Sequence, residues 1–188
     1  MNPNQPMKTN TALLLIDIQN DYFNGGANPL VGSIEASLNA KKLLETFRAK
    51  SLPIIHVQHL ATRPGSTFFV PNTKGAEIHS NVTPLATEKV ITKHYPNSFR
   101  ETELLACLKS KNITHLVVCG MMTHMCVDAT VRAAKDHSFD ITLISDACAT
   151  RDLEIQGQTV AAPEVQKSFL AALAYFYATV QTTNEYFK

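Results

Sequence analysis

The sequence has almost no excess charge, because 17 Lys and Arg residues face 16 Asp and Glu residues over 188 positions. A formal net charge of +1 predicts no electrostatic attraction to nucleic acid or to a membrane surface. Long apolar runs are also missing: no stretch approaches the roughly 18 residues that a membrane helix needs. The first ten residues, MNPNQPMKTN, lack the apolar core of a secretory signal. We therefore expect a cytoplasmic protein that binds neither nucleic acid nor membranes.

The sequence has few cysteines, and no two of them form a C-x-x-C pair. The four are Cys107, Cys119, Cys126 and Cys148. Without a sign of export, free thiols are the expected state. Internal repeats and low-complexity tracts are absent, and the glycines of DIQNDYFNGG lack the G-x-G-x-x-G spacing of a dinucleotide site. The length fits a single domain, which we assign to residues 11–188 behind a polar segment at 1–10.

What the chain does contain is an alternation of short apolar runs with helical patterns. Strands are predicted at 12–16, 53–58, 89–93, 115–120, 140–147 and 178–183, and helices at 33–49, 101–112, after Cys126 and at 163–176. Apolar strands without alternation belong to a parallel sheet covered on both faces. The predicted fold is a three-layer α/β/α sandwich with a six-stranded, mainly parallel, Rossmann-like sheet.

Two of these helices have apolar residues at helical spacing, which predicts the face that each one buries. For the first helix these residues are Ile34, Leu38, Leu44 and Phe47, and for the last they are Val165, Phe169, Leu173 and Phe176.

Function in such sheets collects at the carboxyl ends of the strands. Cys126 lies there, in VVCGMMTHMCVDATVRAA, where a strand gives way to a helix. The positive end of the helix dipole and the free backbone amides favour a thiolate, so the pKa of Cys126 is expected to be lowered. The alternative for a single cysteine is a buried structural thiol.

Two charged residues end other predicted strands and would meet Cys126 at the same edge. Asp17 follows the first strand and is a candidate base, while Lys93 ends the third and would stabilise an anion. The alternatives are an aspartate that caps a loop and a solvated lysine. His124 is also close to Cys126 in sequence.

Three motifs in order resemble the isochorismatase-like cysteine hydrolase superfamily: LLLIDIQNDYF, ITKHYPNSF and VVCGMMTHMCVDATVRAA. The resemblance implies an Asp17–Lys93–Cys126 triad that cleaves a small amide, ureide or imide through a thioester. It also implies a cis peptide at Met121–Met122, with the Met122 and Cys126 amides as an oxyanion hole. No cofactor is expected. The resemblance also implies a homo-oligomer, either a dimer or a tetramer.

The substrate pocket is less well defined by the sequence. Tyr22 matches an aromatic position of nicotinamidase-like members, and Tyr95, Phe99 and His124 are further candidates. Nicotinamidases proper add a metal held by an Asp-x-His pair and another histidine. Here the available residues are His56, His59 and His79, without the carboxylate, so no metal site is expected. A nicotinamidase with a metal remains one alternative, and a non-catalytic binding protein or thiol sensor that keeps the fold and Cys126 is the other. A sensor would need a resolving cysteine near Cys126, and Cys119 should lie a strand's depth away.

Overall fold

A computed structural model describes residues 10–188 of the chain. The strands are β1 (Thr11–Ile16), β2 (Ile54–His59), β3 (Lys89–Lys93), β4 (His115–Met121), β5 (Asp140–Ala149), β6 (Leu153–Ile155), β7 (Gln158–Val160) and β8 (Thr179–Gln181). The helices are α1 (Ser33–Ala49), α2 (Leu104–Ser110), α3 (Asp128–Asp136), α4 (Ala162–Phe176) and α5 (Thr183–Tyr186).

Six strands form one parallel sheet in the order β3-β2-β1-β4-β5-β8. The strand order reverses between β1 and β4, so the crevice at their carboxyl ends is the switch point where ligands bind in such sheets. β1 occupies the centre, and all six of its side chains are buried. The six predicted strands and the three-layer fold are confirmed, with strand ends shifted by up to two residues.

Separate apolar cores cover the two faces of the sheet. One contains Leu13 and Leu15 of β1 with the buried side of α1. The other contains Leu14 and Ile16 with α2, α3 and α4. Alternate residues of β1 therefore enter opposite cores, as the period of a strand requires.

The predicted helix faces are partly wrong. In α1, Ile34 and Leu38 are 44% and 45% exposed, because the helix packs through small residues as well as Leu44 and Phe47. The small buried residues are Ser33, Ala36, Ser37 and Ala40. In α4, Val165 and Leu173 are buried but Phe176 is 66% exposed at the end of the helix.

The antiparallel hairpin of β6 and β7 was not predicted, because its residues are mostly polar and exposed. Between β4 and α3 the chain makes a wide, π-helical turn over Thr123–Val127 instead of entering an α-helix directly. Among the helices within residues 10–188, none combines the length and apolar character required to cross a membrane. The predicted polar segment at 1–10 lies almost entirely outside the described residues.

Candidate active site

Asp17 begins the site, one residue beyond the end of β1. Its φ of 50° is in the left-handed region, which aspartate tolerates better than most residues. The Asp17 amide donates to the Val57 carbonyl of β2 at 3.0 Å, so the backbone is held by the sheet. The side chain is completely buried. β1 thus delivers a desolvated carboxyl group to the crevice.

Lys93, the last residue of β3, is also completely buried and lies with its Nζ 2.7 Å from Asp17 Oδ2. The ammonium donates to the Tyr95 carbonyl at 3.0 Å and the Pro96 carbonyl at 3.3 Å, and it contacts His59 Nδ1 at 3.1 Å. Burial lowers the pKa of Lys93, but the charges of Asp17 and Cys126 outweigh it, so the pKa is raised. The lysine is therefore a permanent buried cation.

Cys126 lies in the wide turn and is 3% exposed. One ligand atom from each of Cys126, Asp17 and His59 lies within 4.8 Å of the other two. The structure thus brings together the three residues predicted from separate strand ends, and it adds a histidine.

The predicted lowering of the Cys126 pKa is wrong. Burial, and then the charge of Asp17, raises the pKa of the thiol well above its ordinary value, and the opposing effect of Lys93 is smaller. The main physical reason is the loss of solvent around the thiol, and charge balance adds to it, since one lysine faces two acids and a thiolate would add a second buried negative charge. At rest the sulfur carries its proton, and a base has to remove it.

His59 is the residue whose place the sequence did not identify. It ends β2, and its backbone is held from both sides by Gln19, which accepts from the His59 amide at 2.8 Å and donates to its carbonyl at 2.9 Å. Burial lowers the pKa of His59 to about 4, so the ring is neutral near pH 7. The signal in the sequence for this place is the position of His59 at the end of a strand, although from the sequence it is considered only as a metal ligand.

The resemblance implied a cis peptide just after β4, and the Met121–Met122 peptide is cis. The Met122 carbonyl accepts from the Met125 and Val127 amides at 3.1 Å. Thr123 is buried and donates to the Ala149 carbonyl at 3.2 Å, which ties the turn to β5. A backbone amide next to a thiol is able to bind an oxyanion.

The four pocket candidates have different surroundings. Tyr22 is buried, and its ring packs against Phe69, whose ring lies 5.6 Å from that of His59. Burial, and then the charges of Cys126 and Asp17, raise the pKa of Tyr22. The Tyr95 ring is covered by the Arg100 guanidinium at 3.7 Å. His124 hydrogen-bonds with Thr150. The Phe99 ring lies 5.0 Å from that of His137, just past the far end of α3.

The loop after β2, residues 60–88, also places an aromatic side chain next to Tyr22 and His59. Phe69 packs edge-on against Tyr22 with ring centroids 4.7 Å apart, and it lies 5.6 Å from His59. Asp21 fixes this loop by accepting a hydrogen bond from the Phe69 amide at 2.6 Å.

The three histidines considered for a metal do not converge. His56 hydrogen-bonds with the Glu88 carboxylate at 3.0 Å, and His79 stacks on Phe23 with centroids 3.7 Å apart. In the described part of the chain, the only grouping with metal-ligand spacing is Asp17, His59 and Cys126. Lys93 Nζ lies against two of these three, so a cation would meet an ammonium there.

A buried carboxyl, a lysine and a thiol thus meet at the carboxyl ends of parallel strands, where ligands bind in such folds. Residues 11–185 match the Isochorismatase domain family, and the chain belongs to that family. It is 50% identical over 178 residues to the uncharacterised isochorismatase family protein YddQ of Bacillus subtilis, covering 95% of this chain and 99% of YddQ.

Two further relatives are a named hydrolase and a protein of known crystal structure. A streptothricin hydrolase of Streptomyces noursei is 32% identical over 87% of this chain and 56% of its own length. The crystal structure of an isochorismatase from Pseudomonas putida superposes with a TM-score of 0.89 at 37% identity, covering 94% of this chain and 90% of that one. The protein is therefore an isochorismatase-family hydrolase.

Proposed function

We propose that the protein hydrolyses a C–N bond of a small amide-, ureido- or imide-like molecule through a thioester on Cys126. The observation that carries the proposal is the fully buried Asp17–Lys93 ion pair at 2.7 Å, beside a thiol that is neutral at rest. A carboxylate in that position is a general base for the thiol, and the lysine balances the charge.

The reaction follows from these positions. Asp17 takes the Cys126 proton as the sulfur bonds to the carbonyl carbon, and the Met122 and Cys126 amides hold the oxyanion that forms. Asp17 then gives the proton to the departing nitrogen, the C–N bond breaks and a thioester remains. Water adds to the thioester while Asp17 takes its proton. The C–S bond then breaks and the sulfur takes that proton back from Asp17, which restores the thiol and the carboxylate.

The pocket wall supports a small substrate with an apolar or planar part. Tyr22 and Phe69 lie edge to face next to the triad, and His59 continues the wall. Tyr22 and His124 are proposed as substrate contacts, while the ring of Tyr95 and that of Phe99 are engaged elsewhere. A cytoplasmic location and a homo-oligomer, a dimer or tetramer, remain predictions.

A hydrolysis screen over small amides, ureides, imides and carbamoyl compounds tests the proposal, with release of ammonia or amine as the readout. We expect turnover of at least one compound, loss of that turnover in Cys126→Ala, and a hydroxamate when hydroxylamine traps the thioester. Cys107→Ala is the matched control, because Cys107 is half-buried in α2 and outside the site. Turnover that survives Cys126→Ala would contradict the proposal.

Metal removal separates this function from that of a metal-dependent nicotinamidase. Because the Lys93 ammonium lies 2.7 Å from Asp17 and 3.1 Å from His59, we expect turnover to be unchanged after EDTA treatment. Less than stoichiometric zinc, iron or manganese should be found in untagged protein by elemental analysis. Activity that is lost on chelation and restored by metal would refute this, and His59 and His79 would be the first ligands to replace.

A further inference from the structure

The Lys93 ammonium has three N–H groups and nearby acceptors for all three. These are His59 Nδ1 at 3.1 Å, the Tyr95 carbonyl at 3.0 Å and the Pro96 carbonyl at 3.3 Å. Asp17 is nearer, at 2.7 Å, yet within residues 10–188 neither of its carboxyl oxygens has a hydrogen-bond partner of acceptable geometry. Asp17 is thus paired with the lysine by charge while its lone pairs stay available.

His59 is built to be an acceptor in this arrangement. An ammonium only donates, so Nδ1 must carry the lone pair and the ring proton must lie on Nε2. The pKa of His59, lowered by burial to about 4, keeps this neutral form. Gln19 is fully buried and fixes the His59 backbone through two hydrogen bonds, while a third goes to the Ala76 carbonyl at 2.8 Å.

We propose that His59 is a positioning residue: by accepting one N–H of Lys93, it keeps that N–H from turning to Asp17 and so preserves Asp17 as a proton acceptor for Cys126. A hydrogen bond from an ammonium to a carboxylate stabilises the anion and makes it a weaker base. The backbone carbonyls of Tyr95 and Pro96 cannot be replaced by substitution, which makes His59 the only one of the three acceptors that a variant can remove. The inference rests on the proposed role of Asp17.

Alkylation of Cys126 by iodoacetamide at neutral pH tests the inference, because it needs the thiol proton removed but needs no substrate. Asparagine places its side-chain oxygen near the position of Nδ1, whereas glutamine reaches the position of Nε2. His59→Asn should therefore alkylate Cys126 within about threefold of the wild-type rate, while His59→Gln and His59→Leu should be roughly tenfold slower, the effect of one charge-assisted hydrogen bond gained by Asp17. Peptide mapping by mass spectrometry gives the rate at Cys126 alone.

Two comparisons separate positioning from a general loss of structure. In a Lys93→Met background no N–H is left to redirect, so adding His59→Leu should change the rate no further. His94→Asn is the matched control, since His94 is exposed and binds the Leu60 carbonyl at 2.8 Å rather than Lys93. Its rate should equal that of the wild type.

Equal rates for the asparagine and glutamine variants would overturn the inference, and so would an additive effect of His59→Leu on Lys93→Met. If His59→Leu does not fold, the asparagine and glutamine pair still decides. A hydrolysis screen that finds no substrate would count against the proposed function and leave this alkylation result standing.

Discussion

Cys126, Asp17 and Lys93 form a unit with two acidic groups and one cation, all nearly or completely buried. The resting state that balances these charges is a neutral thiol beside a carboxylate and an ammonium. In the proposed reaction, nucleophilic sulfur is produced only when its proton moves to Asp17. Such a site would differ from thiols that are activated by a lowered pKa, and its carboxylate would be as necessary as the sulfur.

The first residue-scale prediction concerns that dependence. Cys126→Ala and Asp17→Asn should each lower kcat by roughly three orders of magnitude or more on a substrate from the screen, and the double variant should lose little beyond either. The reason is that a proton acceptor is of no use without the thiol, and the neutral thiol is of little use without the acceptor. Steady-state kinetics measures it, and losses that multiply in the double variant would show two independent contributions.

A second residue-scale prediction concerns the ion pair. Lys93→Met should lower the free energy of unfolding by about 3–5 kcal/mol, because Asp17 would be left as a buried unpaired charge. Adding Asp17→Asn should restore a large part of that loss, since the charge is then removed as well. Urea unfolding of the two single variants and the double variant measures both effects. A double variant as unstable as the sum of the singles would contradict the charge explanation.

The meeting of Asp17, Lys93 and Cys126 could be predicted from the sequence because each lies at or beyond the carboxyl end of a strand. Their role as a catalytic triad is implied by the resemblance and stays a prediction. The direction of the Cys126 pKa could not, because it depends on how completely the folded chain covers the thiol and on the distance to Asp17. Phe99 lies in the motif ITKHYPNSF, yet its ring packs beyond α3. Short-range sequence neighbours do not determine where a loop side chain points.

At the scale of elements, the approach of β4 to β1 positions the turn that carries Cys126. Gly120 has a φ of +139°, and a Cβ added there would lie 2.1 Å from the Ile16 carbonyl oxygen, which is backbone and cannot turn away. The glycine therefore allows β4 to pair with β1 up to Ile16, immediately before Asp17.

Gly120→Ala should destabilise the protein by roughly 4 kcal/mol or more, in the range of severe core substitutions. Gly65→Ala is the matched control: its φ is +78°, but nothing lies within 4 Å of the added Cβ, so only about 1–2 kcal/mol of backbone strain is expected. Thermal or urea unfolding compares the two. Similar losses for both would mean that φ, and not the contact with Ile16, decides.

Elements were predictable where the chain is uniformly apolar. β1 satisfies this best, and it is buried along its whole length. The hairpin β6–β7 was not predictable, because its residues are mostly exposed and its pairing depends on the turn at Gln156 and Gly157. The face of α1 was misjudged because Ser33 and Ser37 are buried in a helix that packs closely, while Ile34 and Leu38 stay at the surface.

At the scale of the whole molecule, burial keeps several histidines neutral. The pKa values of His56, His59, His79 and His124 are all lowered, with burial as the largest cause in each, and that of His59 falls to about 4. An unfolded chain protonates its histidines near pH 6.5. Below that pH the unfolded state binds more protons than the folded state.

A prediction about pH follows from this linkage. The free energy of unfolding rises with pH wherever the unfolded state holds more protons, so it should fall as the pH is lowered from about 7 to about 4. His59 alone contributes about 2 kcal/mol of this loss after allowance for its partial exposure to solvent. Urea unfolding at a series of pH values measures the slope, and His59→Asn should make it shallower over that range.

A second window should follow at lower pH, from a different group. Burial raises the pKa of Glu88, but hydrogen bonds from Arg48, Leu85 and His56 outweigh it and lower the pKa to about 2. The carboxylate stabilises the fold above its unfolded pKa near 4.5, and this is lost as the pH falls towards 2. Glu88→Gln should therefore flatten the dependence below about pH 4.5, and it should change the histidine window only through His56, which loses the carboxylate that raises its pKa. A variant that flattens both windows equally would show that the two groups do not titrate independently.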